Sequence, residues 1–201
     1  MNTRSNTLAW LGTGISLATL SCGVTGGVAV HSTGSYDVRV ASTLMHWPGE
    51  FAPDKVDVFL HNQVEIGAPP RVVWENLVAA TKWPSWYANS SDVRIVGSGE
   101  RLQAGTRFLW NTFGFPADST VVEFVPEQRL AWSGGPVTFR IYHAWLIVPR
   151  GEGCLVITEE AQTGTDAIRF HREQPNAMVD GHDWWLSALK ARSERTPQES
   201  K

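Results

Sequence analysis

The stretch V-E-I-G-A-P-P-R-V-V-W-E-N-L-V-A-A-T-K-W-P-S-W, residues 64–86, decides the fold. Val64 and Ile66 flank Glu65 in the alternation of a half-buried strand. Pro69 and Pro70 suit a first helical turn, where a missing N–H removes no hydrogen bond. Val73, Trp74, Leu77 and Val78 then recur at helical spacing, which predicts an amphipathic helix over residues 69–80. Lys82-Trp83-Pro84-Ser85-Trp86 ends it, because the residue before a proline is pushed out of the α region.

Ile66, Ala68, Pro69, Val73, Trp74 and Leu77, followed by Trp83, Pro84 and Trp86, resemble the opening of the START-like superfamily. This group, also called Bet v 1-like or SRPBCC, contains polyketide cyclases, dehydratases and lipid-transfer proteins. The resemblance runs in element order over residues 56–194. It implies an α+β helix-grip fold: a curved antiparallel sheet of six to seven strands wrapped around a long C-terminal helix, with two short helices after the first strand. It also implies a cavity between sheet and helix. Such a fold hosts binders, carriers and enzymes alike, so it leaves the chemistry open.

Outward from that stretch, residues 56–67 read as the first strand, with Val56, Val58 and Leu60 on one face. Further strands are expected at 92–96, 106–113, 119–125, 129–133, 138–148 and 154–162, divided by turns such as Gly114-Phe115-Pro116 and Gly134-Gly135-Pro136. No helical period separates them, so the sheet is expected to be antiparallel. After Gly164, Ala167, Ile168 and Phe170 open a helical piece that Pro175 and Gly181 interrupt. Trp184, Trp185, Leu186 and Leu189 then give the last helix an apolar face.

The 201 residues suit one domain plus an extension. A hydrophobic content of 42% and a charged content of 18% describe a globular chain. A net charge of −3 without a basic run excludes a nucleic-acid footprint. Ten tryptophans call for either a large core or flat ligand walls. The two cysteines, Cys22 and Cys154, lie in regions of different character and form no metal or redox pattern. No metal and no cofactor are expected.

Residues 1–44 read as a leader outside the fold, 45–195 as the ligand-binding domain and 196–201 as a mobile tail. Two readings of the leader stand side by side. One is a signal-like segment, with Arg4, an uncharged run over 8–20 and then Ser21-Cys22-Gly23, which implies a secreted or envelope protein. The other is an upstream extension before a true start at Met45, which implies a cytoplasmic one. Membrane contact is expected only if the leader is retained, and the chain is expected as a monomer or homodimer.

Strand alternation selects the cavity candidates. On 138–148, Phe139, Ile141, His143, Trp145 and Ile147 form the bulkier face, which is assigned inward. Phe108 and Trp110 share a face on 106–113, and Leu155, Ile157 and Glu159 share one on 154–162. Val121 and Glu123 alternate together on 119–125. The ligand-contact set is therefore Trp86, Tyr87, Phe108, Trp110, Trp132, Ile141, His143, Trp145, Ile157 and Trp185. The catalytic candidates are His143, Glu123 and Glu159, since a histidine or buried carboxyl can titrate near neutral pH. The plainer reading makes His143 a structural histidine, the two glutamates solvent-facing and the tryptophans core. His182 and Asp183 read as a helix start, or as groups near the cavity mouth.

The expected function is binding of a hydrophobic small molecule: a lipid, polyketide or aromatic compound. A polyketide cyclase or dehydratase using the same cavity is the alternative, and a regulatory protein-interaction module is a second.

Overall fold

The computed structural model describes residues 29–32 and 44–195. Strands β1 (Ala29–Ser32) and β2 (Val58–Ile66) precede helix α1 (Pro70–Val78) and a 3-10 helix (Ala80–Ser85). Six strands follow: β3 (Ser90–Ile95), β4 (Arg107–Thr112), β5 (Phe115–Val125), β6 (Arg129–Gly134), β7 (Arg140–Arg150) and β8 (Gly153–Thr163). Helices α2 (Thr165–Glu173) and α3 (Ala177–Ser193) close the chain.

The strands form one sheet in the order β1-β2-β8-β7-β6-β5-β4-β3. The seven strands β2 to β8 pair antiparallel, as their short turns require. β1 runs parallel to β2, from Ala29 opposite Val58 to Ser32 opposite His61. These four residues belong to the segment that the sequence reading sets apart. They cover backbone groups that β2 would otherwise present as a sheet edge. The signal-like run over residues 8–20 lies outside the described residues.

The deciding stretch folds around Trp83. Pro69 caps α1 in an extended conformation (φ −59°, ψ 149°), and Pro70 is the first helical residue. Val73, Trp74, Leu77 and Val78 are buried on one side of the helix. The Trp83 indole N–H donates to the Leu77 carbonyl (2.9 Å), one of the acceptors that a helix C-terminus leaves without a helical partner. The ring is fully buried and meets Phe108, Trp110, Trp132 and Trp185 at centroid separations of 5.0–5.9 Å. Most of these contacts are edge-on, the geometry that ring quadrupoles favour.

Around β7 and β8 the sheet is covered on both faces. The inner face packs on α1 and α3 around Trp83. The outer face carries Tyr142, Ala144 and Leu146 of β7 with Leu155 and Ile157 of β8, and it is roofed by Met45, Phe51 and Val56. Trp47 lies between Phe59 and Tyr142, at 5.4 and 5.3 Å. The segment 45–56 is thus a strap over the outer face, which explains why β7 and β8 are buried residue after residue.

The C-terminal break falls at Pro175, as expected, between α2 and α3. Gly181 does not interrupt α3; it lies within it. Its lack of a side chain admits the Phe113 ring, with which a Cβ would collide. Cys154 is a free, buried thiol, and burial pushes it up to about 11.

Replacing Trp83 with alanine removes the hub of the aromatic core and leaves a large cavity. Urea unfolding is expected to show a loss of about 3–5 kcal/mol. Trp184→Ala, at a ring that is 66% exposed, is expected to change stability by no more than about 0.5 kcal/mol.

Candidate functional site

Between the inner face of the sheet and helices α2 and α3 lies a cavity of about 400 Å³. Trp110, Trp132, Ile141 and Trp185 form apolar walls. Phe113, Phe115 and Phe139 each set a ring against Phe170 of α2, at 6.5, 5.9 and 6.1 Å. Phe115 is exposed, so this phenylalanine group marks the outer end. The inner end is polar and carries His143, Glu160 and His182, all buried.

The sheet register builds that end. His143 on β7 stands opposite Glu160 on β8, so their side chains leave the same face as neighbours. Helix α3 approaches from the other side. His182 and Trp185, three residues apart, share the helix face turned to the sheet. His143 Nδ1 lies 3.1 Å from Glu160 Oε2, and His182 Nε2 lies 3.4 Å from the same oxygen. The other carboxylate oxygen accepts from Gln162 Nε2 at 2.6 Å. His143 Nε2 contacts Thr158 Oγ1 at 2.7 Å, and His182 Nδ1 contacts Asn62 Oδ1 at 3.2 Å. The His143 ring sits among Trp132, Trp145 and Trp185, with centroids 4.8, 5.3 and 5.7 Å away.

Burial holds His143 below the ordinary histidine range, against the opposing pull of Glu160. Burial alone would raise Glu160. The two imidazoles, His143 first, outweigh it and hold the carboxyl far below the usual range. The site is therefore an ionised carboxylate between two histidines in an apolar enclosure.

Of the candidates read from sequence, Trp110, Trp132, Ile141, His143 and Trp185 line this cavity. The inward assignment of Ile141, His143 and Trp145 matches their packing, although Trp145 lies behind His143 and off the cavity surface. Phe108 is likewise in the layer behind, against Trp83 and Trp132. Tyr87 stacks on Trp185 at 4.6 Å and donates from its hydroxyl to the Gly181 carbonyl. The turn that carries Trp86 and Tyr87 therefore braces α3 and does not frame the opening.

Three candidates face the other way. Ile157 and Glu159 lie on the outer face of β8, because inward positions there fall to Val156, Thr158 and Glu160. Glu159 pairs with His61 Nδ1 at 2.6 Å under the strap. Glu123 is turned outward by a bulge in β5: Val121 pairs with Trp132, Val122 is extra and exposed, and Glu123 pairs with Ala131. There it meets Arg129 at 2.6 Å and His46 at 2.9 Å. Glu160 is the group that sequence reasoning missed. It is next to Glu159, and only the strand's phase separates them.

Compared with known proteins, residues 57–194 match the family described as polyketide cyclase / dehydrase and lipid transport. No curated protein matches the chain. Among solved structures, a hypothetical protein from Helicobacter pylori is 32% identical with a TM-score of 0.69, over 75% of this chain and 96% of that one. The di-domain ARO/CYC StfQ from the steffimycin biosynthetic pathway is 17% identical (TM-score 0.55), over 68% of this chain and 50% of that one. Truncated norcoclaurine synthase from Thalictrum flavum is 13% identical (TM-score 0.56), over 69% and 94%. At the latter two identities the likeness is one of fold.

The outer face yields a pH test. Burial first, and then the Glu123 charge, push the Tyr142 phenol up to about 12, above its unfolded value of 10.0. Its contribution to stability is therefore complete below pH 10 and is lost as the pH rises through about 12. The free energy of unfolding, measured by urea across that window, is expected to fall more steeply for the wild type than for Tyr142→Phe.

Proposed function

As a member of the polyketide cyclase / dehydrase and lipid transport family, the chain has a cavity walled by aromatic rings, and we propose that it binds a flat, apolar small molecule bearing an acceptor oxygen. The observation that carries this reading is the combination of apolar walls with unused donors. The indole N–H groups of Trp132 and Trp185 are buried beside the cavity and have no hydrogen-bond partner among the described residues. A buried donor left unpaired costs about 1–3 kcal/mol. A carbonyl or phenolic oxygen at that depth would satisfy them, while the phenylalanine end would take the ligand's apolar part. The unit that would do this is residues 45–195.

A turnover reading, with His143 or Glu160 as acid or base in aldol closure and dehydration, draws on the buried polar end. Both ring nitrogens of His143 are already engaged, by Thr158 and by Glu160. That residue thus has no idle nitrogen for a substrate proton, and carriage is the reading we favour.

Native mass spectrometry of the purified chain is expected to detect a retained apolar molecule. Titration with 1,8-dihydroxyanthraquinone is expected to quench tryptophan emission saturably. Ile141→Trp, which fills the cavity, should weaken that binding at least tenfold, about 1.4 kcal/mol. Ile157→Val on the outer face should leave it unchanged. Equal affinity in the wild type and Ile141→Trp would rule the cavity out.

A further inference from the structure

We propose that His143, Glu160 and His182 form a site for one divalent transition-metal ion of the zinc or iron class, open to the cavity. The three residues bring one ligand atom each within 4.8 Å of one another, and all three are buried. Two histidine nitrogens and a carboxylate oxygen suit this class of ion. Bonds of about 2.0–2.2 Å place neighbouring ligand atoms roughly 3.0–3.5 Å apart. The separations from Glu160 Oε2 to His143 Nδ1 and His182 Nε2, 3.1 and 3.4 Å, fall in that range.

The surrounding hydrogen bonds decide which nitrogen of His182 offers a lone pair. Asn62 Nδ2 donates to the Val179 carbonyl (3.2 Å) and to Asp183 Oδ1 (2.8 Å), so its amide orientation is set. Its Oδ1 can only accept, so His182 Nδ1 carries the proton and donates to it. That leaves Nε2 as the nitrogen free to offer a lone pair. This buried atom makes no hydrogen bond, although the carboxylate lies beside it. Thr158 Oγ1 holds His143 Nε2 at 2.7 Å and lies 3.4 Å from the Ala144 carbonyl. His143 holds its Nδ1 3.1 Å from the same carboxylate oxygen. Two acceptors, His182 Nε2 and Glu160 Oε2, thus face one another across 3.4 Å. A cation at the centre satisfies both and takes His143 Nδ1 as its third ligand.

The outer hydrogen bonds have the form that holds metal ligands in place. His182 donates its other N–H to Asn62, Thr158 holds His143 at Nε2, and the free carboxylate oxygen accepts from Gln162. Three protein ligands leave positions open on the cavity side, where a water or a ligand oxygen can bind. A proton on one imidazole would satisfy the same contacts, and the titration below separates the two. The spacing escapes motif reading because the ligands come from β7, β8 and α3.

The test uses the full chain stripped with EDTA and titrated with Co²⁺. One equivalent is expected to bind saturably and to quench tryptophan emission, since indoles surround His143 within 6 Å. Glu160→Gln and His182→Gln should each weaken uptake at least tenfold, with circular dichroism confirming the fold. A readout independent of any variant is X-ray absorption of the Zn²⁺-loaded wild type. It should show two imidazoles and oxygen at about 2.0–2.2 Å, without sulfur. No saturable uptake would overturn the proposal, leaving a proton at the centre. So would a sulfur shell, fewer than two imidazoles, or undiminished uptake by the folded Glu160→Gln and His182→Gln proteins.

Discussion

A carboxylate buried among tryptophans constrains everything around it. Moving such a charge out of water costs several kcal/mol unless it is compensated in place. Glu160 is met by His143 from the neighbouring strand, by a hydrogen bond from Gln162 on its own strand, and by His182 from the helix opposite. These in turn are held by Thr158, Asn62 and Asp183. The network ties β2, β7, β8 and α3 into one arrangement. A slip of one residue between β7 and β8 would leave Glu160 without His143 and turn inner residues onto the outer face.

That network can exist because β7 and β8 are hidden on both faces. The strap from Met45 to Val56 covers the outer side, and the helices cover the inner. The two sides carry different chemistry. Outside, Glu123 and Glu159 are paired with Arg129, His46 and His61 and serve the packing of the strap. Inside, one carboxylate stands at the end of a cavity with two indole donors beside it. Trp83 holds the inner side together, joining α1 through Leu77 to four aromatic rings from three other elements.

Local signals were legible where local rules set the outcome. Pro69 and Pro70 mark the start of α1, the turns divide the strands, and the alternation of Ile141, His143 and Trp145 places them inward. The misplacements have two causes. Glu159 and Ile157 sit on a strand whose two faces are both buried, so polarity no longer labels the side that faces the cavity. At Glu123 a single extra residue, Val122, inverts the alternation. Gly181 looks like a break because glycine is a poor helix former. It stays helical because Phe113 needs the space.

By itself the sequence determined the fold class, the element order, the antiparallel sheet and the aromatic character of the interior. These follow from spacing, proline positions and composition, all properties of neighbouring residues. Only the tertiary structure decided which glutamate faces the cavity, that Tyr87 braces a helix, and that His143, Glu160 and His182 meet at one point. Those outcomes depend on strand register and on how α3 lies against the sheet. Both are set by packing between residues far apart in the chain, which no local pattern records.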